Sequence, residues 1–138
     1  MAAGLAVQLP AGWHALRMPP TPSPVVDPLT RVVVSSAPIR WNDRPCQVAQ
    51  FAPRSAAVTV VVLEWRRRYP ATRWPPRSRE PVPLRLGELE CYGGWGGGIT
   101  FGDRGRHLGL YVMADRRARR TLVRRAQAVA RSLRLLPR

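Results

Sequence analysis

The chain has 138 residues, 45% of them hydrophobic, which is enough for one packed domain and too apolar for wholesale disorder. Its charge is lopsided: 23 basic residues, every one an arginine, stand against 8 acids for a net +15. No apolar run approaches the ~20 residues that cross a bilayer, and the opening MAAGLAVQLPAGW lacks the charged and long apolar regions of a signal peptide, so a single cytoplasmic domain over 1–138 is expected.

Leu5 to Leu9 reads as a first short strand, and Pro10-Ala11-Gly12 as a turn into Trp13–Leu16. The prolines between Pro19 and Pro28 each remove a donor and fix the backbone, so that segment is a surface loop. Thr30 to Ser35 is the next strand. Val58 to Trp65 is the strongest, β-branched on both faces as a central strand covered on both sides should be. A second proline-rich loop runs from Pro70 to Pro83, and short strands at Leu84–Leu86 and Glu88–Tyr92 lead into a glycine-rich connection. Ile99–Gly102 and Arg106–Met113 pair as a hairpin around Asp103-Arg104-Gly105.

The spacing of Ala118, Leu122, Ala126, Val129 and Leu133 predicts a helix from Asp115, its N-cap, to about Leu135. Arg117, Arg120, Arg124 and Arg131 fall on its opposite face. Arg116, Arg117, Arg119 and Arg120 crowd the N-terminal turns, where the helix dipole disfavours cations. The expected fold is α+β: an antiparallel sheet of about five to seven strands with this amphipathic C-terminal helix on one face.

Leu9-Pro10-Ala11-Gly12-Trp13 at the start, Phe101…Asp103-Arg104-Gly105-Arg106 in the late hairpin and Ser132-Leu133-Arg134 at the helix end resemble small actinobacterial domains. Their layout is similar to PsbP-like domains, LpqN-like lipoproteins included, in which an antiparallel sheet carries helices. The resemblance implies an adaptor or accessory subunit rather than an enzyme, and carries over no functional residue. Unlike the lipoprotein members, the sequence as read shows no signal sequence or lipobox, so an envelope location is not expected.

Gly93 and Gly98 have the spacing of a phosphate-binding loop, with Thr100 at the place of its metal-binding hydroxyl. Ile99, however, occupies the lysine position, and Ile99-Thr100-Phe101 reads as strand where such a loop needs a helix N-terminus. The segment is therefore read as a mobile connection that exposes Trp95; the large apolar area of the indole favours its packing into the core, with contact to a ligand as the alternative. His14 and His107 are the two histidines, and a thiolate from Cys46 or Cys91 beside His107 would be the enzymatic arrangement, without a recognisable signature. Cys46 and Cys91 are otherwise small buried hydrophobes in a reducing compartment, or a bridge in an oxidising one. Glu88 and Glu90 share a strand face, where salt bridges to arginine are the simpler use. Neither a metal site nor a cofactor is expected.

The remaining motif is Trp65, Arg66, Arg67, Arg68, Arg73 and Trp74, with Arg77 and Arg79 beyond. Guanidinium groups with aromatic rings suit single-stranded nucleic acid or an anionic membrane surface, and equally a loop that only solubilises its strand. With Arg117, Arg120 and Arg124 these residues make the expected contact with an anionic partner. The function expected is a non-enzymatic binding or accessory domain with a protein partner, a homo-oligomer included. Nucleic-acid or anionic-surface binding is the alternative, and a small enzyme using His107 the third.

Overall fold

A computed structural model describes residues 4–17, 27–42, 46–66 and 74–137. Their elements are β1 (Leu5–Ala6), β2 (His14–Arg17), β3 (Leu29–Ser35), a 3₁₀ turn (Val48–Phe51), β4 (Val58–Trp65), β5 (Arg85–Leu86), β6 (Trp95–Asp103), β7 (Arg106–Ala114), α1 (Arg120–Arg131) and β8 (Arg134–Leu135). Six strands form one antiparallel sheet in the order β2-β3-β4-β7-β6-β5, and β1 pairs with β8 beside it. The fold is α+β, with α1 packed against β4 and β7.

β4 lies where its sequence demands, between β3 and β7, with every residue from Val58 to Glu64 buried. Because side chains alternate along a strand, Val58, Val60 and Val62 face α1 with Leu108, Leu110 and Phe101. Val61 and Leu63 face the other way and join Val33, Phe51 and Met113. The sheet therefore carries two cores. One is roofed by α1, Leu5, Trp13 and Val82; the other by residues 36–42 and 46–56, with the 3₁₀ turn, and by the turn 87–94. A disulfide between Cys46 and Cys91 ties these last two covers together, with the α-carbons 6.0 Å apart.

Three expectations are corrected. The helix is shorter at both ends than the 115–135 predicted. Asp115 is not its N-cap; its carboxylate accepts the N–H groups of Ala56 and Arg117, and Arg119 holds the cap position with no side-chain bond. At the other end Arg77 donates from its guanidinium to the carbonyls of Ala130, at 2.8 Å, Arg131 and Leu133. Arg77 thus satisfies carbonyls at the helix end that no further turn uses, and Arg134–Leu135 pairs with Ala6 and Leu5.

Glu88–Tyr92 is a turn, not a strand. Gly87 and Cys91 both adopt left-handed backbone angles, with φ 71° and 63°, and the turn folds Leu89 and Tyr92 down onto the second core.

The glycine-rich stretch, finally, is the body of β6 rather than a mobile connection. Its missing side chains make room for neighbours. A β-carbon on Gly97 would stand 1.8 Å from the Pro83 carbonyl oxygen, and one on Gly98 would stand 2.4 Å from the Tyr111 ring. Glycine is required here because the proline-rich segment crosses one side of the strand and tyrosine lies flat on the other.

Candidate functional site

The buried face of α1 presents Ala126, Val129 and Ala130 to the sheet, so its 3.6-residue repeat turns Arg120, Arg124 and Arg131 outward, all exposed. Arg117 is exposed too, in the turn before the helix, beside Arg116, whose Nε donates to the Gly93 carbonyl at 3.2 Å. No acid stands in the first helical turn.

Among the described residues both ion pairs meet elsewhere, at Glu64. Arg106 donates from Nε to its Oε2 at 2.6 Å and from a terminal nitrogen to Oε1 at 2.8 Å; Arg31 adds a third bond at 2.9 Å. Burial by itself would raise the Glu64 pKa, but the bonds and charges of Arg106 and then Arg31 outweigh it and hold the carboxyl below its usual range. Hydrogen bonding to Glu64 raises Arg106, against the opposing effect of burial. This cluster is internal architecture, and nothing in a sequence window announces it: its members lie on β3, β4 and β7. One acid thus serves two arginines, which leaves the helix arginines without a carboxylate in contact among the described residues.

The row along α1 ends in a hollow of about 500 Å³ lined by Arg77, Ser78, Arg79 and Arg131. Arg77 is fixed by its three carbonyls and by the Phe101 ring, 5.3 Å from its guanidinium carbon. Burial pulls its pKa down from the ordinary arginine value, and the charge of Asp103 opposes that.

Trp95 is 43% exposed on β6, on the side of the sheet that carries α1. Its register partner on β5 is Leu86, 48% exposed, and on its other side is Ala114, directly before the Asp115–Arg117 turn. Directly opposed residues share a face with β-carbons ~5 Å apart, so Trp95 and Leu86 make one apolar step next to Arg116 and Arg117. Trp95 is thus not packed into the core, the placement its large apolar area favoured, and it stands on a regular strand.

Of the Arg/Trp loop, the described residues are Trp65, Arg66 and those from Trp74 onward. Trp65 and Trp74 pack on each other with ring centroids 5.0 Å apart, and Trp74 stacks on His107 at 4.8 Å and 9°. Arg66 is exposed and its backbone N–H is held by Asp27. Arg67, Arg68 and Arg73 lie outside the described residues. His107 sits under an indole and both cysteine sulfurs are bonded to each other, so no thiolate stands beside it. Glu88 and Glu90 are exposed in a turn. No group of three metal-ligating side chains occurs among the described residues, and no described helix is long and apolar enough to cross a membrane.

No protein-family model, curated protein or solved structure matches this chain.

Proposed function

We propose that this domain is a non-catalytic adaptor that docks an acidic protein partner. Trp95 and Leu86 form the apolar anchor, and Arg116, Arg117, Arg120 and Arg124 the charged rim. The observation that carries the reading is the exposed Trp95–Leu86 step, in register with Ala114 just before the Arg116–Arg117 turn that leads into a helix with no acid in its first turn. Protein interfaces concentrate binding energy in tryptophan and arginine, with charge at the periphery.

The energetics of the free protein point the same way. Arg120 and Arg124 are like charges at i,i+4, which costs about 0.2–0.5 kcal/mol, and Arg119 and Arg120 face the positive end of the helix dipole. Carboxylates of a partner would relieve both.

Nucleic acid is the second reading, favoured by the continuation of the arginine row through Arg131 into the Arg77–Arg79 hollow. It ranks second because Trp65 and Trp74 are occupied with each other and with His107 instead of facing bases. A PsbP-like ancestry belongs with the adaptor reading and rests on the sheet-and-helix layout and the short motifs. The Cys46–Cys91 bridge supports an oxidising compartment over a reducing cytoplasm; thiol titration of protein isolated without reductant checks this.

The two partner classes separate in one experiment. A leucine-bearing Asp/Glu-rich peptide and a single-stranded DNA oligomer of equal charge are titrated into the protein, the W95A/L86A variant and the R120A/R124A variant. Adaptor function predicts that the peptide binds, and that losing Trp95 and Leu86 costs more than losing the two arginines. Tight DNA binding with a steep salt slope, insensitive to W95A/L86A, would favour the second reading. If neither probe binds at low salt, both readings fail.

A further inference from the structure

On the other face of the sheet, away from the arginine row, a cavity of about 390 Å³ opens between the segment 36–40 and the turn 52–57. That volume lies within the range of pockets that hold small organic molecules. Ile39 and Phe51 wall it, Ser35 and Thr59 lie in its floor, and the exposed Arg40 and Arg54 stand in its lining.

The two hydroxyls are already engaged. Ser35 donates to the Val58 carbonyl at 2.9 Å and accepts from Thr59 at 3.2 Å and from the Ala37 N–H at 3.3 Å. The floor therefore asks little of a polar ligand atom and admits an apolar body. The guanidinium groups differ. Among the described residues neither Arg40 nor Arg54 makes an ion pair, and Asp115, the acid bonded into the adjoining turn, spends its carboxylate on the N–H groups of Ala56 and Arg117.

Backbone geometry adds a second, separate observation. Ser55 and Ala56 are consecutive non-glycine residues at φ 52° and 65°. Left-handed L-residues cost roughly 1–2 kcal/mol each, and turns of this kind ordinarily use Asn-Gly. The turn is closed by Ala57 N–H to the Arg54 carbonyl at 3.1 Å and clamped by Asp115 from both its carboxylate and its N–H. Strain of this kind is retained where a fixed geometry is useful, and here it fixes the backbone that carries Arg54.

We infer that this cavity is a binding site for a small monocarboxylate with an apolar body, its carboxylate at Arg40 and Arg54 and its hydrocarbon part against Ile39 and Phe51. The site is independent of the partner surface around Trp95, so either can fail without the other. Hexanoate is titrated into the isotope-labelled full chain with its disulfide intact, and the amide spectrum is followed, with hexylamine as a matched cation.

Saturable shifts confined to 35–40 and 51–59 are expected with hexanoate and not with hexylamine. R40A/R54A should weaken binding at least about tenfold with an unchanged melting temperature, since both side chains are exposed. Ala52→Phe, which fills the cavity and keeps the charge, should block binding as well. Equal response to hexylamine, shifts centred on the Arg77–Arg79 hollow, no saturable shift, or undiminished binding by R40A/R54A would each overturn the inference.

Discussion

The two faces of the sheet are closed in different ways. On one, α1 lies across β4 and β7, bonds its interior backbone within itself and has its last carbonyls collected by Arg77. On the other the cover is irregular chain, and an irregular cover must find a partner for each buried polar group. It is pinned piecemeal: Gln47 bonds to the Pro28 carbonyl and the Thr30 hydroxyl, Asn42 to the Ala49 carbonyl, and Cys46 is joined to Cys91. The helical face leaves its arginines outward and a hollow lined by Arg77, Arg79 and Arg131, whereas the loop-covered face leaves a cavity walled by Ile39 and Phe51. A domain built this way has room for two kinds of contact, a broad charged one and a small enclosed one.

The difference is sharpest if the cross-link is removed. The bridge closes a loop with a sequence separation of 45, and losing it should cost about 4 kcal/mol by the loop-closure relation. C46S/C91S should melt far below the parent, and hydrogen exchange should rise first in 46–52 and 87–94 while α1 stays protected. Equal loosening of both faces would break the comparison.

Arg77→Ala tests the helical face. Uncapping three carbonyls should cost about 2 kcal/mol and fray 130–135, with the loop-covered face unaffected in exchange. Acid should act through Glu64, on the helical side of β4. Because its folded pKa is lowered, its contribution is present above the unfolded carboxylate value of about 4.3 and is lost as pH falls through the lower folded value. Thermal melts on going to acid should show this loss, and Glu64→Gln should flatten that part of the profile.

The smallest effect has two signs. Arg120→Glu should stabilise α1 by about 0.5 kcal/mol, by complementing the dipole and pairing with Arg124, while weakening an anionic partner. A variant that is both less stable and equally able to bind would refute the view that these arginines are kept at a cost to stability.

Local pattern was enough to read β4 residue for residue, the Asp103–Gly105 hairpin turn and the apolar stripe of the helix, because each depends on neighbours within one element. The glycines of β6 were misread because what fills their space, Pro83 and Tyr111, comes from other segments. The helix end was misread for a similar reason: the strand that replaces its last turn pairs with Leu5 and Ala6, at the far end of the chain. The packing of Trp65 on Trp74 and of Trp74 on His107 joins residues of separate segments, which no local window shows. At the candidate surface, the outward arginines were legible from helical periodicity. The Trp95–Leu86 pairing and the Arg40–Arg54 cavity depend on strand register and loop path, which composition does not encode.

The adaptor reading stands or falls with one indole among five tryptophans. Following the tryptophan side-chain N–H signals of the labelled protein while the leucine-bearing acidic peptide is added isolates it. The Trp95 signal should move and saturate with the amides of Leu86 and Arg116–Arg120, while the buried Trp13 stays in place. A Trp95 signal that stays still while the peptide binds elsewhere would contradict the account.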